Sequence, residues 1–314
     1  MKYILKKTGF LVITLLVISF ITFLAFNIIP GDAALSKLGT EATVDQVNML
    51  REELGLNAPF FSRYLSWLGG FIGGDFGISF SYMIPVKELI SGKFMITITM
   101  TIMAFVFIIL FSIPIAVFTA YKENKIVDRV ITFLNQLFMS IPGFFLGILI
   151  TFIFGLTFKI FMPGAYISMQ ENIGQYFYYL LFPSVAMAIP KTAMGVKILR
   201  SSLIEEKEKR YVRAARSRGN SNLRIYGVYM LKNAVIPVLT FWAMTIADLI
   251  ANSVIIERVF SIPGIGTLLV SSIANRDFAV VQAIIIIIAV IIIVMNYLVD
   301  LLYKIIDPRI DLKN

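Results

Sequence analysis

From Gly9 to Ile29 the chain carries no ionisable side chain, and apolar runs return at about 95 to 120, 130 to 158, 178 to 200, 235 to 256 and 279 to 303. A helix rises about 1.5 Å per residue, so about twenty such residues cross the roughly 30 Å of hydrocarbon in a bilayer. Lipid offers the backbone no hydrogen bonds, so each run must satisfy its own N–H and C=O groups, which a helix does. The predicted class is therefore an all-α integral membrane protein with six transmembrane helices. Composition agrees, because 58% of the 314 residues are hydrophobic and soluble domains hold roughly 45–50% apolar residues.

The first run follows Lys2, Lys6 and Lys7, as the core of a signal peptide would. Its length, and the absence of a small-x-small site around Ile29-Pro30-Gly31-Asp32, predict a retained helix instead. Six spans leave both termini on one side of the membrane. Of the 28 Lys and Arg residues, 19 lie at the N-terminus, in 121 to 129, in 197 to 232 and in the C-terminal tail. The positive-inside rule then makes both termini cytoplasmic, with the long segment 30 to 94 discounted because long loops translocate regardless of charge. The net charge of +9 thus reports topology rather than nucleic-acid binding. Pro183 and Pro190 interrupt the fourth run and leave its ends the least defined.

The chain has no Cys and no His, which removes disulfides, thiolate and imidazole metal sites and the catalytic triads that need either residue. No catalytic residue and no metal ligand is assigned. Gly92-Lys93-Phe94 lacks the upstream glycine and the hydroxyl of a phosphate-binding loop, so ATP hydrolysis is not expected of this chain.

Two parts are expected: 1–94, a first helix with an extracytoplasmic loop, and 95–314, a five-helix core containing a polar segment at 201–234. In the loop, Thr43 and Gln46 have capping-box spacing, Val44, Val47, Leu50 and Leu54 form one apolar face, and Gly55 is a helix stop. Tyr64 to Gly70 reads as an interfacial aromatic stretch and Gly73-Gly74-Asp75 as a turn. An ordered cap and a partner-docking surface both fit this loop. The segment 201–234 reads as two short helices around Gly219, with Ala214 and Ala215 permitting close approach and Asn220-Ser221-Asn222 available to cap the second helix. A basic stretch lying on anionic lipid fits the same composition.

Tyr211-Val212-Arg213-Ala214-Ala215-Arg216-Ser217-Arg218-Gly219, followed by Leu231-Lys232-Asn233-Ala234-Val235-Ile236-Pro237, resembles the coupling loop of binding-protein-dependent ABC importer permeases. The general motif has Glu where Arg213 stands, Ile where Tyr229 stands and Pro where Lys232 stands; Ala214, Ala215, Gly219 and Leu231 match. Pro30-Gly31-Asp32, Leu50 to Leu56, Trp67-Leu68-Gly69-Gly70 with Gly74-Asp75, Ser140 to Gly147, and Glu257 to Gly266 with Asn275-Arg276-Asp277 are similar to the dipeptide, oligopeptide and nickel branch, in order along nearly the whole chain. The resemblance implies the transmembrane domain of a type I ABC importer. Its implied partners are a second homologous permease, two cytoplasmic ATPases that carry ATP and Mg, and an extracytoplasmic solute-binding protein. Di- or oligopeptides are the implied substrates, with nickel or a metal chelate as the alternative; an ion-coupled secondary transporter is the alternative of another class. Tyr211, Val212, Arg213, Ala214, Ala215, Arg216 and Gly219 are the ATPase-coupling candidates, with Tyr211 and Val212 offering apolar surface to the ATPase and the arginines pairing with acidic rims, lipid phosphate or solvent.

A charge at the centre of a spanning helix costs roughly 2.5–3.5 kcal/mol on insertion scales and faces the bundle interior or water. Lys191 and Asp248 are such residues, and Asn252 and Ser253 lie about a turn beyond Asp248. All four are translocation-pathway candidates; equally, Lys191 and Asp248 pair, or Lys191 snorkels from a broken helix. Between the last two spans, Pro263, Gly264 and Gly266 predict a turn or scoop, and Arg276 and Asp277 a local pair.

Overall fold

The computed structural model describes residues 2–28, 43–53 and 57–306. Its helices are α1 (Lys2–Ile28), α2 (Val44–Glu53), α3 (Phe60–Ile72), α4 (Val86–Tyr121), α5 (Ile126–Ser140), α6 (Gly143–Ile150), α7 (Ile173–Glu206), α8 (Arg210–Ser217), α9 (Asn222–Arg224), α10 (Leu231–Ala234), α11 (Ile236–Val259), α12 (Ile265–Ala274) and α13 (Phe278–Ile306). Wider π-helical turns extend α6 over Thr151–Thr157 and join α9 to α10 over Ile225–Met230. Among the described residues α1, α4, α7, α11 and α13 are long and apolar enough to cross a membrane, and α5 with the extended α6 makes a sixth crossing as one bent pair.

Three of these differ from the runs read in the sequence. The second span starts at Val86 rather than near 95, and its 36 residues reach about 54 Å, well beyond the hydrocarbon. The third is bent by 100° between Ser140 and Gly143. A proline pushes the residue before it out of the helical region, and Ile141 accordingly has φ −88° and ψ 124°, so α6 begins afresh after Pro142. The fourth runs unbroken through Pro183 and Pro190. Spanning helices tolerate prolines where neighbours compensate, and beside Pro183 the Ser184 hydroxyl donates to the Met100 carbonyl of α4 at 3.1 Å.

The chain forms two compact units, Met1–Met95 with Leu268–Val294, and Ile96–Thr267 with Met295–Asn314. In the first, Phe20 and Phe23 of α1 meet Phe60, Tyr64 and Trp67 of α3 at ring-centroid distances between 5.3 and 5.9 Å. Ser19 and Tyr64 share a buried hydrogen bond of 2.8 Å. The aromatic stretch thus packs on α1. The turn after it forms with Gly74 at φ +82° and the Gly77 amide donating to the Asp75 carboxylate. The capping box is complete at the start of α2: the Thr43 amide donates to Gln46 Oε1 at 3.0 Å and the Gln46 amide to Thr43 Oγ1 at 3.4 Å. The apolar face expected at Val44, Val47, Leu50 and Leu54, the Gly55 stop and Pro30-Gly31-Asp32 lie outside the described residues and side chains. Asp277 takes hydrogen bonds from the Ser79 hydroxyl at 2.5 Å and the Ser81 amide at 3.1 Å. Its expected partner Arg276 adopts φ +55° beside it.

The second unit is built on one stripe of α4. Met100, Ala104, Ile108, Ser112, Ala116 and Ala120 are fully buried at every fourth position, which stacks them on one helical face. Ile102, Val106 and Leu110 are half exposed. Four of the six buried residues are alanine or serine, and the outward residues are large and apolar, which suits a helix surrounded by lipid, where close backbone approach replaces the hydrophobic effect as the packing force. Gly195 of α7 packs closely against this stripe: a Cβ there would lie 3.2 Å from Ser112 Cβ and 3.4 Å from Trp242 Nε1 of α11.

Candidate coupling, pathway and outer-loop sites

At the basic end of the second unit, α8 lies against the core. Val212 and Ala215 are buried in the same hydrophobic cluster as Leu203, Ile225, Tyr226 and Met230. Tyr211 is half-buried and its hydroxyl donates to the Glu206 carboxylate. Burial first, and the Glu206 hydrogen bond second, raise the Tyr211 phenol above its ordinary value, so it stays a neutral donor at physiological pH. Arg210, Arg213, Ala214, Arg216 and Ser217 are exposed. The coupling candidates therefore divide: Tyr211, Val212 and Ala215 hold α8 to its own chain, and Arg213, Ala214 and Arg216 face outward. The period of a helix forces this, since 212 and 215 share a face and 213 and 216 occupy another.

Gly219 ends α8 with φ +74°, the left-handed geometry that a Cβ disfavours. The Arg218 amide reaches Ala214 O at 3.2 Å, and the Asn220 side chain donates to Ala215 O at 2.9 Å. Ser221 then caps α9, accepting from the Arg224 amide at 3.4 Å. Two further contacts, absent from the sequence reading, fasten this end. Arg200 grips Asp128 through two bonds of 2.7 Å, with Asn124 donating to the same carboxylate at 3.1 Å. Lys207 meets Glu123 at 2.6 Å, and this hydrogen bond holds the Lys207 ammonium above the ordinary lysine range. The Asp128 side chain is 5% exposed. Breaking a buried pair costs about 3–5 kcal/mol, whereas an exposed one contributes about 0–1 kcal/mol. Asp128–Arg200 therefore carries the connection between the α4–α5 turn and the end of α7. A sequence signal existed in Asp128, an acid in the first turn of α5, but its partner is 72 residues away.

In the middle of the bundle, Lys191 of α7 bonds Asp248 of α11 at 2.7 Å, with the two side chains 27% and 58% exposed. The Asn252 side-chain amide donates to the Asp248 backbone carbonyl at 2.8 Å, and the residue is exposed. Ser253 is not with them. It is 1% exposed and its hydroxyl donates to Ile250 O at 2.7 Å, because five residues carry a helix about 140° round from Asp248.

At the opposite end, the Pro263-Gly264-Ile265-Gly266 turn closes over Glu257, which is fully buried. Its carboxylate accepts from Thr97 Oγ1 at 2.5 Å and the Thr267 amide at 3.0 Å, while the Ile265 amide donates to Thr97 Oγ1 at 3.2 Å. A Cβ at Gly264 would stand 2.4 Å from Glu257 Cδ, and one at Gly266 2.3 Å from Val254 Cα. The two glycines are needed for the backbone to pass this close. Tyr179 of α7 pins the same end, donating to Phe260 O at 2.6 Å and accepting from the Gly164 amide at 2.8 Å. In that neighbourhood burial, reinforced by Tyr176 and Glu171, pushes the Tyr166 phenol up to about 12.

Comparison with known sequences places relatives along the whole chain. Residues 112–312 match the model of the family "Binding-protein-dependent transport system inner membrane component", and residues 1–101 match "Binding-prot-dependent transport system membrane comp, N-term". The "Probable peptide ABC transporter permease protein y4tP" of Sinorhizobium fredii is 31% identical over 98% of both chains. The "Oligopeptide transport system permease protein AppB" of Bacillus subtilis is 30% identical over 98% of this chain and 99% of its own. The "Glutathione transport system permease protein GsiC" of Escherichia coli K12 is 31% identical over 100% of both.

Proposed function

The chain belongs to the family of binding-protein-dependent transport system inner membrane components, and from that premise we propose that it is one of two permease subunits of an ATP-driven peptide importer. It is a multi-pass membrane protein. The observation that carries the peptide reading is the end-to-end match, over 98 to 100% of each chain, to permeases whose names specify peptides, oligopeptides and glutathione. In this reading both termini are cytoplasmic, a second permease completes the pathway, two ATPases sit below, and a solute-binding protein delivers peptide from outside.

Force from the ATPases enters through the outward face of α8. Arg213, Ala214 and Arg216 meet the ATPase, and Val212 and Ala215 carry the displacement into the permease core. The Asp128–Arg200 and Glu123–Lys207 pairs make the α4–α5 turn and the end of α7 move with it, a rigid-body transmission rather than a bending one. Lys191 lies further along that same α7 and Asp248 lies on α11, so the helices that receive the force also carry the polar groups of the pathway.

Tagged protein, gently solubilised from its native membrane, is expected to bring down two ATPases and a second permease. Reversing Arg213 and Arg216 to Glu is expected to release the ATPases and leave the second permease bound. Recovery of the chain without ATPases would refute the reading.

A further inference from the structure

Lys191 and Asp248 sit near the midpoints of α7 and α11, Asp248 lying about 16–18 Å from either end of its helix at 1.5 Å per residue. Yet the Asp248 side chain is 58% exposed and that of Lys191 27%. An ion pair that only locked two helices together would be packed between them. This one has a free flank, extended by the exposed Asn252. Charge at that depth is tolerated where it faces water and its opposite.

We infer that this pair is a substrate-recognition element that exchanges partners with the two charged ends of a peptide: Asp248 receives the terminal ammonium and Lys191 the terminal carboxylate. This rests on the peptide reading above. Electroneutrality drives the exchange. Before substrate enters, the two charges neutralise each other; with a zwitterion in place, each still has an opposite charge, and no stage leaves a lone ion in the bundle. The geometry permits it for a di- or tripeptide, whose ends lie at most about 3.3–3.6 Å apart per residue, a gap that Lys191 can open by swinging its four-carbon stem away from Asp248. A peptide blocked at one end leaves either Asp248 or Lys191 without a partner and is disfavoured.

The test uses the assembled transporter in proteoliposomes with saturating, preloaded solute-binding protein, so that differences in capture drop out. Turnover is compared for a peptide with free termini, its N-acetylated form and its C-amidated form. The wild type is expected to prefer the free peptide about tenfold over either. Asp248→Asn should abolish the preference over the acetylated peptide alone, and Lys191→Gln the preference over the amidated peptide alone. Should either variant lose the folded protein, the double variant Lys191→Gln with Asp248→Asn, which removes both charges together and leaves no lone ion, is read instead; loss of both preferences there supports recognition by the pair, and retained preferences overturn it. Preferences unchanged in the single variants, or a loss of rate equal for all three peptides, would overturn the assignment. Absence of uptake of any peptide by the wild type, with its ATPases active, would instead overturn the peptide reading on which it stands.

Discussion

Gly264→Ala is expected to deplete the folded protein from the membrane, with Gly266→Ala close behind. The alanine methyl would stand 2.4 Å from the Glu257 carboxyl carbon, where carbon atoms rest at about 3.5–4.0 Å. Either the turn lifts or the carboxylate leaves, and both outcomes break the bonds from Thr97 and the Thr267 amide. Leaving a buried hydrogen-bonding group without its partner costs about 1–3 kcal/mol, so losing both bonds costs about 2–6 kcal/mol before strain is counted. Total stabilities are about 5–15 kcal/mol, which makes this one methyl group decisive. Gly92→Ala is the control. Nothing lies within 4 Å of a Cβ there, the site is inside α4, and alanine should stabilise by about 0.5–1 kcal/mol. Membrane-fraction yield and thermal unfolding in detergent read both variants; normal yield of Gly264→Ala would show that the turn does not need its glycine.

Gly219→Val is expected to cut transport at least about tenfold while leaving insertion intact. The site is open, with nothing within 4 Å of a Cβ, so the penalty is the backbone's alone. A left-handed conformation costs about 1–2 kcal/mol for an L-residue, and a β-branched side chain is the least suited to it. That is too little to unfold the protein and enough to shift the end of α8, where Arg216 and Gly219 would register against an ATPase. Gly219→Asn should retain most transport, because asparagine tolerates this conformation. Equal loss in both variants would point to contact with the glycine rather than to its backbone angle. Ala215→Asp belongs in a different class. Ala215 is 6% exposed within the core cluster, so a carboxylate there would damage the permease itself before it affected coupling.

Much of this was legible because membrane spans depend on local hydrophobicity, which one sequence displays. The Thr43 and Gln46 cap and the Gly219 stop were legible for the same reason: each is settled within four residues of itself. What escaped depends on distant partners. Glu257 reads as a charge at the end of a span until Thr97, 160 residues earlier, is brought beside it. Asp128 reads as a helix-start acid until Arg200 arrives. The 100° bend before α6 was hidden because Pro142 lies inside an unbroken apolar run, and hydrophobicity says nothing about direction. The inward turn of Tyr211 and Val212 was missed because an eight-residue helix with buried and exposed faces offers its apolar side to an ATPase or to its own core with equal pattern; only packing decides. Ser253 was grouped with Asp248 by proximity, where one residue of extra spacing takes it to the opposite environment.

The most direct measurement of the central claim is peptide uptake into proteoliposomes containing this chain with its co-purified partners. Accumulation is expected only when ATP and the loaded solute-binding protein are both present, and none from an ion gradient. Uptake by the chain without ATPases, driven by an ion gradient and indifferent to ATP, would contradict it and make the protein a secondary transporter.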